Sequence, residues 1–403
     1  MSRDYPWRTT CQACGGAELH SFYQARRIPT QSCILLDDAD AARAYPLGDI
    51  DLAVCRACGF IQNTLFDASQ VDYSVPTEES QAYSPRFRSF SNELIDDLVA
   101  RHDLATALEV GCGKGDFLID LAERGLESAT GIDPGFLPDR APAGDARVRF
   151  IRDWFDERYT HLTGDVVIAR HLLEHVPNVG DFTGLLVESA RRTDGSFLFI
   201  ELPDVHRVLD EGAFWDVYYE HCSYFTLGSL GRMLQSLGLG VTRLELGFGD
   251  QYLLAEAAPA VGTGPHPAEE EVSDILAAVE SFSAVAESLT EGWRSLLCEL
   301  TDRGGRAAIW GGGSKAVAFL ASLDGIPLTV VDINPHKQGK YLPGSGVLVK
   351  NPSALTKEDP DLVVVMNPIY RDEIAAQLDS LGVDADVTTV ETPEWTPRLS
   401  KWF

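Results

Sequence analysis

Four side chains that can exchange protons lie close together in the segment from Trp215 to Phe225. The segment reads W-D-V-Y-Y-E-H-C-S-Y-F and contains Tyr218, Glu220, His221 and Tyr224. A carboxylate beside an imidazole, with phenols on both sides, is a set of groups that can move a proton at neutral pH. The alternative is a polar and aromatic strand or turn that fills a domain interface. The elements around the segment must decide between these two interpretations.

Two C-x-x-C pairs near the N-terminus have the spacing of a zinc ribbon. Cys11 and Cys14 form one pair, Cys55 and Cys58 form the other, and a glycine follows each pair. Four thiolates can surround a tetrahedral zinc ion and leave no coordination position for a substrate. The pattern therefore predicts a structural zinc site. The alternative is a group of reduced, unpaired cysteines.

The strongest chemical pattern is A-L-E-V-G-C-G-K-G-D-F-L, a short buried strand that leads through a glycine-rich turn into a helix. Gly111, Gly113 and Gly115 would let a ligand approach the backbone closely. Glu109, just before the turn, would repel a pyrophosphate but attract the ammonium or sulfonium group of S-adenosylmethionine. By itself the glycine pattern also fits a dinucleotide-binding loop. The acidic residue favours S-adenosylmethionine.

The ends of the next two strands supply further groups expected around this cofactor. A-T-G-I-D-P ends in Asp133 and Pro134, where a carboxylate can accept both ribose hydroxyl groups. The third strand, V-R-F-I-R-D-W, places Asp153 and Trp154 where they can meet the edge and the face of adenine. Together with Glu109, these residues indicate an S-adenosylmethionine site.

The fourth strand ends at Arg170 and His171, which we expect beside the methyl group. His171 is expected to form a wall rather than act as a base, and His175 to begin a helix. A fifth strand leads into the 215–225 segment, and a helix and a hairpin follow. Seven strands with alternating helices predict the Rossmann-like α/β sheet of a class I methyltransferase. The 215–225 segment would then lie at the carboxyl edge of the sheet, where ligands bind.

A second glycine-rich turn, W-G-G-G-S-K, opens another Rossmann-like unit. The pattern from Gly311 to Ala316, with Asp332 downstream, matches a dinucleotide fingerprint and is the best argument for a nicotinamide-dependent enzyme. Ser314 and Lys315 add a hydroxyl group and a cation at the start of a helix, which suits any diphosphate. We interpret this unit as the one that holds a nucleotide or a phosphorylated part of the substrate.

Length and charge limit the classes of function. A chain of 403 residues is long enough for two or three domains. Its 33 basic and 61 acidic residues give a net charge of -28, which opposes binding to nucleic acid or to anionic lipid. The sequence has no apolar run long enough to span a membrane, and its first residues lack the apolar core of a signal peptide. These features predict a cytoplasmic protein with a small-molecule substrate and no nucleic-acid or membrane partner.

The motifs predict five consecutive segments. Ser84 and Pro85 are expected to begin a helix that runs to His102. A linker rich in proline and glycine, residues 260–266, is expected to precede a pair of helical segments. The predicted segments are a zinc-binding domain (1–70), a helical connector or lid (71–102), the methyltransferase domain (103–258), a helical linker (259–303) and a C-terminal Rossmann-like domain (304–403).

In the order of these motifs, the chain resembles the three-domain sugar C-methyltransferases of deoxysugar biosynthesis along essentially its full length. Those enzymes have a four-cysteine zinc domain, a central S-adenosylmethionine domain, a Y-x-E-H segment and a C-terminal Rossmann-like domain with V-D-x-N-P and K-Q-G-K motifs. The matching positions here are Cys11, Cys14, Cys55, Cys58, Glu109 to Gly115, Tyr218, Glu220, His221, Gly311 to Lys315 and Val331 to Lys340.

The resemblance implies that His221 is a general base acting on a nucleotide-bound 4-keto sugar, which is methylated at C3. Glu220 would orient or charge His221, Tyr218 would donate to the keto oxygen, and the connector would bring in Tyr73 or Tyr83. The candidate catalytic residues are thus His221, Glu220, Tyr218, Tyr224 and Tyr73. The candidate substrate-binding residues are Gly313, Ser314, Lys315, Asp332, Asn334, Lys340 and Tyr83.

Two motifs depart from the pattern of that family. Its C-N-D-G loop is C-G-K-G here, and its G-G-S-L-R strand is replaced by Phe248 to Tyr252. The second change lies near the expected substrate position, so the identity of the sugar stays open, as does the choice between carbon and oxygen as acceptor. An O-methyltransferase and a nicotinamide-dependent sugar-modifying enzyme are the alternatives. The chain is expected to be a monomer or a homodimer.

Overall fold

The chain divides into two compact units. The computed structural model describes residues 9–140, 146–259, 262, 264–323 and 325–394. The first unit comprises Met1–Ala25, Asp49–Asp210 and Tyr219–Ser281, and the second comprises Arg26–Gly48, Glu211–Tyr218 and Phe282–Phe403. Residues 1–8, on which the expected location depends, and positions 260, 261 and 263 of the predicted linker lie outside the described residues. The division between units falls within the 215–225 segment, directly after Tyr218.

The helices and strands occupy the following ranges. The first eleven strands and six helices are β1 (Leu19–Pro29), α1 (Ala39–Arg43), β2 (Leu47–Cys55), β3 (Ile61–Asn63), α2 (Pro85–Arg101), β4 (Thr106–Val110), α3 (Asp116–Glu123), β5 (Ser128–Ile132), β6 (Val148–Ile151), β7 (Val166–Arg170), α4 (Val179–Ala190), β8 (Phe197–Pro203), α5 (Val205–Glu211), β9 (Ser223–Tyr224), α6 (Leu227–Ser236), β10 (Leu239–Gly247) and β11 (Tyr252–Pro259). The remaining elements are α7 (Val272–Asp302), β12 (Ala307–Trp310), α8 (Ser314–Ser322), β13 (Thr329–Val331), β14 (Val349–Lys350), α9 (Leu355–Glu358), β15 (Leu362–Val365), α10 (Arg371–Leu381) and β16 (Asp386–Thr389).

The first unit is built on a seven-stranded sheet of order β10-β11-β8-β7-β4-β5-β6. Strands β8, β7, β4, β5 and β6 are parallel, and the hairpin β10-β11 adds two antiparallel strands at one edge. Strands β4, β7 and β8 are buried almost throughout, as expected for parallel strands covered on both faces. The carboxyl ends of the parallel strands therefore meet at one edge, which is where the predicted cofactor residues lie.

A smaller sheet, of order β1-β2-β3-β9, joins the cysteine pairs to the candidate segment. A tight turn links β2 to β3, with the amide of Cys55 donating to the carbonyl of Phe60 at 2.8 Å. Strand β3 then pairs with β9 in antiparallel register, Ile61 opposite Tyr224. The four cysteines and the central sheet, predicted as separate domains, both lie in the first unit.

Local sequence explains the start of α2 but not the continuity of α7. Ser84 caps α2 as predicted, since its hydroxyl accepts a hydrogen bond from the amide of Phe87 at 3.4 Å. The predicted pair of helices after the linker is wrong, because α7 is one helix of 31 residues. Gly292 lies within it, and one helical glycine costs only about 1 kcal/mol relative to alanine, too little to break a helix that packs along its length.

The second unit contains a five-stranded parallel sheet of order β14-β13-β12-β15-β16. Its central strands are buried throughout, and Trp293 of α7 donates a hydrogen bond from its indole nitrogen to the carbonyl of Val390 at 2.8 Å. The ring of Trp293 also packs against Phe319 of α8. Within the described part of the chain, no helix is long and apolar enough to cross a membrane.

Candidate active site

The turn between β4 and α3 has a backbone that requires glycine. Gly111, Gly113 and Gly115 have φ angles of 74°, 54° and 84°, in the left-handed region that other residues rarely adopt. A Cβ atom on Gly115 would lie 2.4 Å from the ring of Phe150. The three glycines therefore allow a path in which the chain turns closely over the end of β5 and β6.

Glu109 is the best evidence that a cation belongs beside this turn. Its side chain is buried, and its Oε2 atom has no hydrogen-bond partner among the described residues. Burial raises the pKa of Glu109 to about 8, although the nearby Arg170 opposes the shift. Because an unpaired buried carboxylate oxygen is costly, the site is complete only with a donor or a cation. The ammonium group of S-adenosylmethionine fits this requirement.

Asp133 follows β5 and supports both the turn and a ligand. One carboxylate oxygen accepts the amide of Gly113 at 3.0 Å, and the other accepts the amide of Gly135 at 2.7 Å. Each oxygen keeps a lone pair, so the carboxylate can still accept ribose hydroxyl groups. Pro134, next in the chain, accepts a hydrogen bond from Arg152 through its carbonyl.

The end of β6 offers an exposed aromatic face. Trp154 is 52% exposed, and the ring of Tyr73 meets it edge-on at 6.0 Å between centroids. Asp153 accepts hydrogen bonds from the hydroxyl group of Tyr159 at 2.7 Å and from the amide of Trp154 at 2.8 Å. An exposed indole beside a carboxylate is suited to stack on adenine and to accept from its amino group.

The end of β7 forms a buried ion network. Arg170 donates to Glu201 at 2.6 Å and lies 3.9 Å above the ring of Phe117. His171 has a φ angle of 47°, and its Nε2 atom lies 3.1 Å from the other oxygen of Glu201. Burial opposes the charge of His171, but the carboxylates of Glu174 and Glu201 outweigh burial and raise its pKa to about 9. Arg170 and His171 are therefore cations that are paired with the carboxylates of Glu201 and Glu174.

His221 lies against a second histidine, His175. The two rings are perpendicular, with centroids 4.7 Å apart. The hydroxyl group of Tyr73 is 3.1 Å from Nδ1 of His175 and 3.4 Å from the carbonyl of Glu220. The ring of Tyr224 lies on the other side of His221, at 6.1 Å. The structure thus brings three candidate catalytic side chains, Tyr73, His221 and Tyr224, together with His175.

Three hydrogen bonds hold the residues around His175 against the residues around His221. The chain turns at residues 173–176, and this turn docks on the segment that follows Tyr219. Nδ1 of His175 is 3.2 Å from the carbonyl of Glu220, the amide of Cys222 donates to the carbonyl of Glu174 at 2.9 Å, and the hydroxyl group of Ser223 donates to Val176 at 3.1 Å. Nδ1 of His175 therefore contacts a carbonyl oxygen, which only accepts, and the hydroxyl group of Tyr73, which can donate or accept.

The prediction for His175 is wrong. The residue does not begin a helix, because it ends a 3-10 turn, Leu173–His175, and helix α4 begins at Val179. A signal in the sequence pointed to it: the dipeptide Glu-His occurs twice, at 174–175 and at 220–221. Both copies come to the same place in the first unit.

Tyr218 and Tyr83 belong to other parts of the chain. Tyr218 belongs to the second unit, where its hydroxyl group donates to Asp216 at 2.7 Å. Asp216 also forms an ion pair with Lys315. Tyr83 is 39% exposed, directly before the cap of α2. Glu220, by contrast, is buried in the first unit.

The four cysteines form a compact cluster of free thiols. Their sulfur atoms all lie within 4.8 Å of one another, with 3.6 Å between Cys11 and Cys58 and 3.7 Å between Cys14 and Cys55. The amide of Gly16 points at the sulfur of Cys14 at 3.4 Å. Four sulfur donors at this spacing fit the tetrahedral coordination that zinc prefers.

Hydrogen bonds and ion pairs within the second unit hold the second glycine-rich turn. Asp332 accepts the amides of Gly312 and Asn334, both at 2.7 Å. The hydroxyl group of Ser314 is 2.6 Å from that of Ser32, and Lys340 pairs with Asp37. Gly313 precedes α8 without a side-chain cap. The position that corresponds to Glu109 is a buried isoleucine, so this turn lacks the carboxylate that marks the first one.

Comparison with known proteins identifies two parts of the chain. Residues 83–244 match the family model described as a methyltransferase domain. Residues 263–386 match the model described as a C-methyltransferase C-terminal domain. The C-methyltransferase NovU of Streptomyces niveus is 26% identical over 400 residues, which cover 90% of each chain.

Solved structures align with a smaller part. An O-methyltransferase family protein from Burkholderia thailandensis is 19% identical, with a TM-score of 0.35, over 44% of this chain and 57% of that chain. Magnesium protoporphyrin IX methyltransferase from Synechocystis, solved with S-adenosylhomocysteine, is 19% identical with a TM-score of 0.33, over 43% of this chain and 84% of that chain. Each alignment covers less than half of this chain.

Proposed function

Since the chain is an S-adenosylmethionine-dependent methyltransferase, we propose that it methylates a carbon atom of a nucleotide-activated keto-deoxysugar and that His221 is the general base. The observation that carries the proposal is the imidazole pair of His221 and His175 at the carboxyl edge of the parallel sheet. The match of the C-terminal part to a C-methyltransferase domain supports carbon as the acceptor.

Methylation of carbon requires a base because a C–H group is a poor nucleophile. S-adenosylmethionine supplies an electrophilic methyl group on sulfur. His221 would take the proton from the carbon next to the carbonyl group, and an imidazole has a pKa suited to this step near neutral pH. Burial, with the charges of Cys222, Glu220 and Glu174, raises the pKa of Tyr73 well above its usual value, so Tyr73 stays protonated and can donate to an enolate oxygen.

The remaining candidate residues have defined roles in this proposal. Glu109, the three glycines of the first turn, Asp133, Pro134, Asp153 and Trp154 would hold the cofactor, with Arg170 and His171 beside them. Tyr224 and Glu220 would complete the base site, and the hydroxyl group of Tyr218 donates to Asp216.

We propose further that the second unit binds the nucleotide part of the substrate. Lys315 and Lys340 are cations of this unit that could bind a diphosphate, together with Gly313, Ser314, Asp332 and Asn334. Lys315 is paired with Asp216 and Lys340 with Asp37, so phosphate binding must exchange or share these carboxylates. The nucleotide therefore competes with two ion pairs for its cations.

The thiol cluster would hold a structural zinc ion. Cys11, Cys14, Cys55 and Cys58 provide four sulfur ligands, which leave no open coordination position. In this proposal zinc stabilises the small sheet and takes no part in the reaction.

The proposal is tested by exchange of a carbon-bound proton. The enzyme is incubated in D2O with a nucleotide 4-keto-6-deoxysugar and without cofactor, and deuterium uptake is followed by mass spectrometry. The wild type and the exposed control His20→Asn should exchange one carbon-bound proton, whereas His221→Asn should lose exchange and still bind S-adenosylhomocysteine. Exchange at the wild-type rate in His221→Asn would refute the role of His221.

O-methylation is the second candidate, favoured by the turn that replaces the family's substrate strand. Phe248 and Asp250 have φ angles of 52° and 63°, and Phe248 stacks on Tyr252 at 5.2 Å. This turn carries two aromatic side chains, whereas the G-G-S-L-R strand of the family that the chain resembles carries none. An O-methyltransferase would transfer a methyl group without any exchange of a carbon-bound proton, so the same experiment separates the two.

A further inference from the structure

We propose that Glu174 is the carboxylate that positions the imidazole pair of His175 and His221 and stabilises the positive charge formed when a proton is taken. No sequence motif or comparison assigns this residue a role. The inference deepens the proposed function, since it rests on His221 as the base. Glu220 completes the base site in the proposed function, whereas the charge that acts on the imidazole pair is here assigned to Glu174.

The geometry of the cluster points to Glu174. A carboxylate oxygen of Glu174 and one nitrogen each of His175 and His221 all lie within 4.8 Å of one another. Glu174 is 3% exposed, and its Oε2 atom has no hydrogen-bond partner in the described part of the chain. An oxygen that is buried without a donor is destabilising unless a proton or cation reaches it during function. The two imidazoles lie within that reach.

The rest of Glu174 is fixed. Its carbonyl accepts the amide of Cys222 at 2.9 Å, which ties the residue to the segment that carries His221. Its Oε1 atom lies 3.6 Å from Nδ1 of His171, and the opposite nitrogen of His171 lies 3.1 Å from Glu201. One oxygen of Glu174 therefore faces the cation of the ion network, and the other, Oε2, has no hydrogen-bond partner among the described residues.

Several other ionisable groups face this carboxylate and must be held constant in any test. His171, at the start of the turn after β7, Tyr73 of the connector and Cys222 interact with Glu174 directly, whereas Arg170 and Glu201 act on it through His171 and Glu220 acts on Tyr73. His171 carries the nearest positive charge, and it partly neutralises Glu174. The effect of Glu174 on the pair is therefore smaller than that of an isolated buried carboxylate.

The expected effect is a change in the acidity of the histidines. An opposite charge within about 4–6 Å shifts a pKa by roughly 1–3 units, and the neighbouring cation places the shift near the lower limit. Glu174→Gln should lower the pKa of the imidazole pair by about 1 unit, and the acid limb of kcat should move to lower pH by the same amount. A residue that only filled space would leave both values unchanged.

Two histidines and a carboxylate are also a donor set for a transition metal. The observations favour a proton, because Nδ1 of His175 is already engaged by Tyr73 and Glu220 and because His171 holds one oxygen of Glu174. Tight binding of one Zn²⁺ per chain beyond the thiol cluster, lost in Glu174→Gln, would overturn the proposal.

The decisive experiment is an NMR titration without substrate. Protein labelled in its histidines is titrated from pH 5 to 9, and the resonances are assigned with His175→Asn and His221→Asn. The proposal predicts a pKa about 1 unit lower in Glu174→Gln than in the wild type, and a smaller change in Glu220→Gln. Equal pKa values in the wild type and Glu174→Gln, or a larger change in Glu220→Gln, would overturn it.

A second variant distinguishes the effect of the Glu174 charge from the effect of misfolding. His171→Gln removes the cation beside Glu174, so the pKa of the pair should rise, opposite to the change in Glu174→Gln. A fall or no change in His171→Gln would contradict the role of Glu174. Because the titration needs no substrate, absence of activity on keto sugars would refute the proposed function and leave this measurement valid.

Discussion

Binding of the cofactor should depend steeply on pH, and Glu109 should be the cause. Burial raises the pKa of this carboxyl group to about 8 despite Arg170. A bound ammonium group would hold it as a carboxylate, so binding at neutral pH must expel a proton. With a pKa near 8, about nine-tenths of the chains carry this proton at pH 7, and binding should release about 0.9 proton.

The magnitude follows from the ionised fraction. That fraction rises about ninefold between pH 6 and pH 7, so the dissociation constant should fall about ninefold over this range. Glu109→Gln should remove the dependence. A hydrogen bond to a charged group contributes roughly 1.5–3 kcal/mol, and expelling the proton at pH 7 costs about 1.4 kcal/mol. The variant should therefore bind no more than about fifteenfold more weakly at pH 7, and the difference should grow toward pH 8.

Titration calorimetry with S-adenosylhomocysteine measures both quantities. Runs in phosphate and in Tris give the number of protons released, because the two buffers differ in ionisation enthalpy. The exposed Glu127→Gln serves as the control and should match the wild type. Binding of the wild type without proton release, or an unchanged pH dependence in Glu109→Gln, would refute the reasoning.

Two further substitutions test the turn and the thiol cluster. Gly115→Ala should lower the free energy of unfolding by roughly 2–5 kcal/mol, since it combines a left-handed backbone with a clash against Phe150. Gly195→Ala, which has open space at a similar φ angle, should lower it by only roughly 1 kcal/mol. Urea denaturation compares the two variants, and equal losses would contradict the clash. Cys14→Ser should reduce bound zinc, measured by elemental mass spectrometry, whereas the exposed Cys298→Ser should retain it; retention of zinc by Cys14→Ser would count against the metal site.

The positions of the candidate cofactor residues follow from local patterns in the sequence, and their role in binding stays a prediction. Asp133 and Trp154 come after β5 and β6, Arg170 ends β7, and parallel strands end at a common edge of the sheet. The predicted start of α2 is confirmed, because Ser84 and Pro85 are local signals.

The imidazole pair, by contrast, depends on contacts between distant parts of the chain. His175 and His221 meet because a 3-10 turn docks on a segment about 45 residues later, and no periodicity encodes that docking. The pairing of Lys315 with Asp216, 99 residues earlier, is equally invisible in the local pattern. The prediction of two helical segments after the linker is wrong, because the continuity of α7 depends on packing along its length, which the local pattern does not show.

The pairing of β3 with β9 limits how this protein can be divided. Strand β3 leaves the second cysteine turn, and β9 begins two residues after His221. Removal of the cysteine-bearing segment from the chain would also remove a strand that pairs with the candidate catalytic segment. For the same reason, transplanting the central sheet alone into another protein should carry over cofactor binding without catalysis. The cysteine-bearing segment and the candidate base site are joined by strand pairing, so a functional chimera must exchange them together.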